Sequence, residues 1–203
     1  MLNFNRGASF YIGVYRAMWE KWGENFREDC LITGDSAGSI IAVGVALGRT
    51  PVQLDELYKN MSAMSTKHGL IGKCSVFMND DLRCLLTQYP NAYKDLQGKF
   101  RCGSTVFPFT HLWHESWENN DELLTDLRCS YHVPLYCDRL SRMIPHGYVL
   151  DGAYGIAGHD LPHHDETLFV GIDPHAEITR SFTFRQMFFP SLGDDYADIV
   201  RSG

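Results

Sequence analysis

Residues 30–48 read CLITGDSAGSIIAVGVALG, and this stretch decides the fold that the sequence predicts. The segment before the central turn indicates a buried strand. The segment after it is apolar on every side, which is typical of a helix enclosed by other elements. Between them lies the pattern Gly34-x-Ser36-x-Gly38. A strand, a sharp turn and a helix in this order are the setting in which such a serine acts as a nucleophile.

The turn has the physical properties that a nucleophilic serine requires. Its glycines let the backbone bend sharply and let neighbouring elements approach. Ser36 would lie at a helix N-terminus, where the amide dipoles favour developing negative charge. The N–H of Ala37 would then be a donor to an oxyanion. A glycine-rich turn that merely opens a buried helix is the alternative interpretation of the same short pattern.

The remaining pattern alternates strands with helices along the chain. Such alternation predicts a layered α/β fold with a central, mostly parallel sheet. The predicted strands are residues 2–4, 29–34, two within 99–117 around Pro108, 147–150 and 167–172. Helical patterns occupy residues 11–22, 39–48, 50–61, 79–89 and 120–127. The third of these begins with Thr50-Pro51, which predicts a capping box with proline at the first helical position.

The composition indicates a globular protein and argues against some partners. The chain has 203 residues, of which 44% are hydrophobic and 21% charged. This length suits a single α/β domain. The net charge of −7 argues against nucleic acid as the main partner and against purely electrostatic docking to anionic membranes. No apolar run approaches the length of a membrane span.

The six cysteines are scattered and form no Cys-x-x-Cys pair. With no signal-peptide pattern at the N-terminus, they predict free thiols in a reducing, cytoplasmic compartment. We interpret them as small buried hydrophobic residues rather than as nucleophiles.

A serine hydroxyl needs a proton acceptor, and the sequence offers two kinds. The first is a late histidine in a Ser–Asp–His triad; the candidates are His146, His159, His163 and His164. The second is Asp151, which follows the predicted strand 147–150 directly. Ligands bind at the carboxyl ends of strands in open α/β sheets. Asp151 and Ser36 both follow predicted strands, so they could face the same binding cleft. A plain Asp-Gly turn is the alternative for Asp151.

The other polar clusters have structural interpretations. The run from His159 to His164 flanks Pro162 and reads as a loop, because no acidic third metal ligand accompanies it. Asn79-Asp80-Asp81 reads as a helix start rather than a calcium loop. We therefore predict no metal and no cofactor. His111 and His114 belong to the predicted strand pair, and the aromatic residues around them are assigned to the core. Those aromatic residues are Phe107, Phe109, Trp113 and Trp117.

Taken together, Gly34-Asp35-Ser36-Ala37-Gly38 and Asp151-Gly152-Ala153 resemble the paired motifs of the patatin-like phospholipases. Further stretches resemble the animal branch of that family, the adiponutrin and adipose-triglyceride-lipase group. They are FYIGVYRAM (10–18), LLTDLRCSYHVPLYC (123–137) and YVLDGAYGIAGHDLP (148–162). These matches follow the family's order along nearly the whole chain.

The resemblance implies a three-layer α/β/α patatin-like fold, formed as a single domain over residues 1–203. Since the family domain usually continues further, it also implies a truncated or minimal version. It implies a lipid acyl hydrolase that cleaves phospholipids or acylglycerols, at a peripheral membrane or lipid-droplet surface. Ser36 would be the nucleophile and Asp151 the base, with Gly34, Gly38 and Gly152 as motif glycines. No histidine would be required.

The N-terminal segment departs from the family pattern. The family carries a Gly-Gly-Gly-x-Arg-Gly or Gly-Cys-Gly oxyanion loop, whereas this chain has LNFNRGAS at 2–9. Arg6 and Gly7 match, and with Ala37 they would form the oxyanion hole. Losing one oxyanion donor costs about 2.7–4 kcal/mol of transition-state stabilisation. The departure motivates a second hypothesis, a catalytically weak or inactive patatin-like protein that binds lipid or acts as a scaffold.

Overall fold

The computed structural model describes residues 4–69, 71–134, 136–137, 142–144 and 147–152. These residues form a mixed α/β structure in which helices flank a small sheet. The helices are α1 (Phe4–Trp22), α2 (Ala37–Ala46), α3 (Pro51–His68), α4 (Cys74–Gln88), α5 (Ala92–Asp95) and α6 (Asn120–Ser130). The strands are β1 (Ile32–Asp35), β2 (Phe100–Val106), β3 (Thr110–His114), β4 (Arg142–Ile144) and β5 (Gly147–Asp151).

Strand β2 organises the sheet because both of its edges are paired. Along one edge it pairs with β3 in an antiparallel hairpin. Along the other edge it pairs with two strands in succession: β1 runs parallel to residues 100–103, and β5 runs antiparallel to residues 104–106. The carboxyl ends of β1 and β5 therefore meet head to head, at the junction between Gly103 and Ser104.

The prediction of a mostly parallel sheet is wrong for the described strands. Among them, β1 and β2 form the only parallel pair, and the other three pairings are antiparallel. For two of these three pairings the physical reason is connection length. Parallel neighbours need a long crossover, whereas β2–β3 and β4–β5 are joined by three and two residues, which permit only hairpins.

The helices cover the sheet through their apolar faces. The most extensive helix contacts with the sheet are made by α2 and α6, while α1 packs on α2 and α3. The predicted burial of α2 is confirmed, since every residue from Ser39 to Val45 is buried. Its close approach to β1 requires Gly34, where an added Cβ would lie 2.6 Å from the carbonyl oxygen of Gly38. The N-terminus of α2 thus rests directly on the end of β1.

Several predicted boundaries are confirmed. Helix α1 ends at Trp22, and Gly23 follows with a φ of 80°. Thr50 forms both hydrogen bonds of a capping box with Gln53, and Pro51 begins α3. Other predicted boundaries differ from the observed ones. Strand β1 begins at Ile32 rather than at residue 29, and its residues are only partly buried or exposed.

Two predicted starts are wrong. Asn79 does not cap a helix, because α4 begins at Cys74 and Asn79 lies inside it. The buried stripe begins earlier than expected, with Cys74, Met78 and Leu82 each four residues apart. Phe4, assigned to a first strand, belongs to α1. Residues 2–3, the predicted strand 167–172 and the candidate histidines His146, His159, His163 and His164 lie outside the described residues.

The aromatic residues near β3 divide into two groups. Trp117 is buried and stacks on Phe100 with 5.9 Å between ring centroids, as the core assignment expects. The same assignment is wrong for Phe107 and Phe109, which are 64% and 66% exposed. They occupy the turn between β2 and β3, and connecting segments of this kind commonly lie at the surface. Within the described ranges, no helix is both long and apolar enough to cross a membrane.

The cysteines largely follow their prediction. All six are free thiols, and Cys74, Cys102, Cys129 and Cys137 are buried, whereas Cys30 and Cys84 are exposed. Burial raises the pKa of the Cys102 thiol well above its ordinary value. Cys137 differs, because a hydrogen bond from Cys74 lowers its pKa to about 5.

Candidate active site

Ser36 occupies a sharp turn between β1 and α2. Its φ of 54° and ψ of −128° are rare for a residue with a side chain. The backbone N–H of Ser36 donates to Ser130 Oγ at 3.1 Å, and its carbonyl accepts from Ser39 Oγ at 2.7 Å. Such a conformation persists only where the surrounding structure holds it. Here one hydrogen bond from α6 and one from α2 hold the turn on both sides.

The structure brings Ser36 and Asp151 together across 115 positions of sequence. Ser36 Oγ donates to Asp151 Oδ2 at 2.6 Å, a length typical of a hydroxyl bound to a carboxylate. Asp151 is fully buried, and Ser36 retains 7% of its exposure. A hydroxyl with an aligned, water-shielded proton acceptor is the arrangement that an activated nucleophile needs.

The sheet explains why these residues meet. Asp35 pairs with Gly103 and Asp151 pairs with Ser104, so the ends of β1 and β5 occupy adjacent positions on one edge of β2. Two further hydrogen bonds hold the end of strand β5 in place. The N–H of Asp151 donates to the carbonyl of His132 at 2.8 Å, and Thr105 Oγ1 donates to the carbonyl of Asp151 at 2.8 Å. The backbone of Asp151 is therefore held by hydrogen bonds on two sides.

A second carboxylate lies beside the turn. Asp35 precedes Ser36 directly, and its Oδ1 lies 2.9 Å from His111 Nε2 on β3. Burial, with a smaller contribution from Asp35, raises the pKa of the Tyr11 phenol. Tyr11 also approaches the start of α2, where a Cβ added at Gly38 would lie 3.6 Å from its ring. Helix α1 therefore lies against the turn that contains Ser36.

The residues predicted to form the oxyanion hole lie at two helix N-termini. Ala37 is the first residue of α2, where the N–H has no partner within the helix. Arg6 and Gly7 have helical backbone in the first turn of α1, rather than the loop expected from the family pattern. A helix places its first amides along one direction, toward its N-terminal end. The oxyanion role of these three residues stays a prediction.

Sequence reasoning missed several residues that support the site. No local sequence pattern marks Ser130, Thr105 or His132 as part of the site, because their roles arise from contacts between elements far apart in sequence. His111 was noticed only as part of a strand pair. The one local signal was Asp35 itself, since a charged residue directly before the serine needs a partner such as His111.

The comparison with protein-family models finds no match for this chain. The comparison with curated proteins likewise finds none. Fold and site together define a mixed α/β protein with a buried serine–aspartate pair at a strained strand–helix turn.

Proposed function

We propose that this protein is a patatin-like lipid acyl hydrolase, with Ser36 as nucleophile and Asp151 as general base. The observation that carries the proposal is the 2.6 Å hydrogen bond from Ser36 Oγ to a fully buried carboxylate, at a turn with strained backbone. The described sheet is mixed, so the relation to the patatin fold rests on this local arrangement and on the motif resemblance. No histidine takes part in the proposed reaction.

The proposed cycle has two acyl transfers. Ser36 Oγ attacks the ester carbonyl carbon while Asp151 takes the hydroxyl proton, and the N–H of Ala37 donates to the developing oxyanion. The ester C–O bond then breaks, and Asp151 returns the proton to the departing alcohol or lysolipid. A water molecule next gives a proton to Asp151 and attacks the acyl carbon. The bond from that carbon to Ser36 Oγ then breaks, the fatty acid leaves, and Asp151 returns the proton to Ser36 Oγ.

The surface near the site supports a lipid substrate. Phe107, Phe109 and Tyr148 are more than half exposed and lie where β2 and β5 extend past the dyad. Residues 105–110 contain no charged side chain. Exposed aromatic rings favour the boundary between water and lipid. We propose that this aromatic tip, defined as Phe107, Phe109 and Tyr148, rests on the surface of a membrane or lipid droplet.

The test measures hydrolysis of a short-chain ester and labelling by a serine-reactive fluorophosphonate. Ser36→Ala and Asp151→Asn should each reduce hydrolysis at least about 1,000-fold, since both members of the unit are needed. Ser65→Ala is the matched control, because Ser65 is a buried serine on α3 that bonds only the carbonyl of Ser62 among the described contacts. Unchanged hydrolysis in either dyad variant would refute the assignment. A panel of phospholipids and acylglycerols then identifies the substrate class.

One observation favours a second function, that of a non-catalytic lipid-binding protein. Arg6 and Gly7 lie in the first turn of α1, so helical backbone stands where the family pattern has a glycine-rich loop with further oxyanion donors. In that case wild-type protein would bind lipid vesicles in a flotation assay, yet show neither hydrolysis nor labelling. Labelling that disappears in Ser36→Ala would exclude this function.

A further inference from the structure

Asp35 is an unusual residue to find directly before a nucleophile, since a buried carboxylate requires partners. Its side chain is 13% exposed, and that of His111 is 6% exposed. The Nε2 of His111 lies 2.9 Å from Asp35 Oδ1. Because an ionised carboxylate only accepts hydrogen bonds, the histidine nitrogen is the donor. The contact therefore joins the nucleophile turn to the middle of β3.

The carboxylate of Asp35 also touches the segment that carries the base. An added Cβ at Gly103 or at Gly152 would collide with Asp35 Oδ1. Gly103 lies on β2, and Gly152 directly follows Asp151. Asp35 thus fills a space enclosed by β2, by β3 and by the residue after the base. The two glycines leave this space open, and His111 holds the carboxylate inside it.

We propose that His111 is a positioning residue for the Ser36–Asp151 pair, acting through Asp35 to fix the nucleophile turn against the end of β5. This role rests on the proposed hydrolase function. His111 does not contact the Ser36–Asp151 hydrogen bond itself, so it is not a catalytic residue.

The physical argument concerns an unpartnered charge beside a strained turn. Without the donor on His111, the carboxylate of Asp35 would remain buried without its main hydrogen-bond partner, or would move toward water. Either response displaces the residue that immediately precedes Ser36. A misplacement of about 1 Å at a reacting group can cost roughly 100-fold in rate. The donor, rather than the bulk of the histidine ring, should therefore matter.

The test compares four variants by turnover per active site, with active sites titrated by fluorophosphonate labelling carried to completion. His111→Leu removes the donor, and kcat should fall about 10- to 100-fold with KM changed less than about 2-fold. His111→Gln keeps an N–H close to the position of Nε2 and should retain most of the activity. His111→Asn is polar but too short to reach Asp35. His111→Asn should therefore lose as much activity as His111→Leu. It replaces His111→Leu in the comparison if the leucine variant does not fold.

Glu115→Gln is the matched control. Glu115 directly follows β3, and its half-exposed side chain pairs with Arg101 of β2 at 2.6 Å. Its turnover should stay within about 2-fold of wild type, as expected for an exposed ion pair.

The outcomes separate this role from the proposed function. A purely structural role would reduce the number of titratable sites and leave kcat per site unchanged, which would overturn the inference. Equal losses in His111→Gln and His111→Leu would also overturn it, since the donor would then be irrelevant. Wild-type protein without hydrolysis or labelling would instead refute the hydrolase itself, and the positioning role with it.

Discussion

At the scale of single residues, the site depends on a hydrogen bond made outside the motif. Ser130 Oγ accepts the N–H of Ser36, and both residues are buried. The motif supplies a turn able to adopt this conformation, but a residue 94 positions away helps to hold it. Stability and reactivity should therefore be coupled at Ser130.

Ser130→Ala should lower the free energy of unfolding by about 1–3 kcal/mol, because it leaves a buried N–H without its acceptor. Urea denaturation followed by circular dichroism measures this loss. Ser65→Ala removes a buried hydroxyl that donates to a helix carbonyl, so it should cost less. Equal losses in the two variants would contradict the specific role assigned to Ser130.

The two motif glycines should respond differently to alanine. A Cβ at Gly34 would meet backbone atoms of Gly38 and Ser39 within 3 Å, whereas a Cβ at Gly38 would meet only the Tyr11 ring at ordinary contact distance. We expect Gly34→Ala to destabilise by about 1–3 kcal/mol through overpacking. Gly38→Ala should change stability by less than about 1 kcal/mol, since alanine is a better helix former. Thermal melting distinguishes the two, and the reverse order would contradict the described contact between β1 and α2.

At the scale of elements, the β2–β3 hairpin has two separate tasks. Its second strand brings His111 to Asp35, directly before Ser36, and its tip exposes Phe107 and Phe109. The two tasks lie at different positions along the hairpin, so they can be tested independently.

The double variant Phe107→Ser with Phe109→Ser should impair only reactions at a lipid surface. We expect hydrolysis of phospholipid vesicles or emulsified acylglycerol to fall about 10-fold or more, because each buried aromatic ring contributes about 1.5–3 kcal/mol to partitioning. Hydrolysis of a dissolved short-chain ester should not change. An equal loss on both substrates would mean that the tip acts on the fold or the dyad rather than on lipid docking.

Helix α4 contains a carboxylate that should make stability depend on pH. Burial, with a smaller contribution from Asp80, raises the pKa of Asp81 from 3.8 to about 6. Between these values the folded state binds more protons than the unfolded state, so stability falls as the pH rises from about 4 to 6. Asp81→Asn should therefore raise the melting temperature at pH 7.5 and have little effect at pH 3.5. Asp80→Asn should give a smaller increase, and a larger one would mean that repulsion outweighs burial.

At the scale of the whole molecule, the sequence predicted local structure better than the arrangement of the sheet. Thr50 and Gln53 predicted a capping box because its atoms lie within one helical turn. Apolar periodicity likewise predicted that α2 is enclosed. Directions of strand pairing could not be predicted in this way. The strand pair around Pro108 was expected and is observed, but β4 and its hairpin with β5 were not expected, and alternation of strands and helices favoured a parallel sheet. The exposure of Phe107 and Phe109 was missed for a related reason, because composition does not tell a core ring from one at a hairpin tip.

The sharp turn at Ser36, the helix that follows it and the carboxylate at the end of a later strand all follow from the sequence alone. These are local properties, set by glycine spacing, apolar periodicity and strand ends. Only the tertiary structure decided that β1 and β5 meet head to head on one edge of β2, which brings Ser36 to Asp151. It also decided that His111 and Ser130 support the turn. Such contacts join segments up to 115 residues apart, and no local pattern encodes which buried polar groups will find each other.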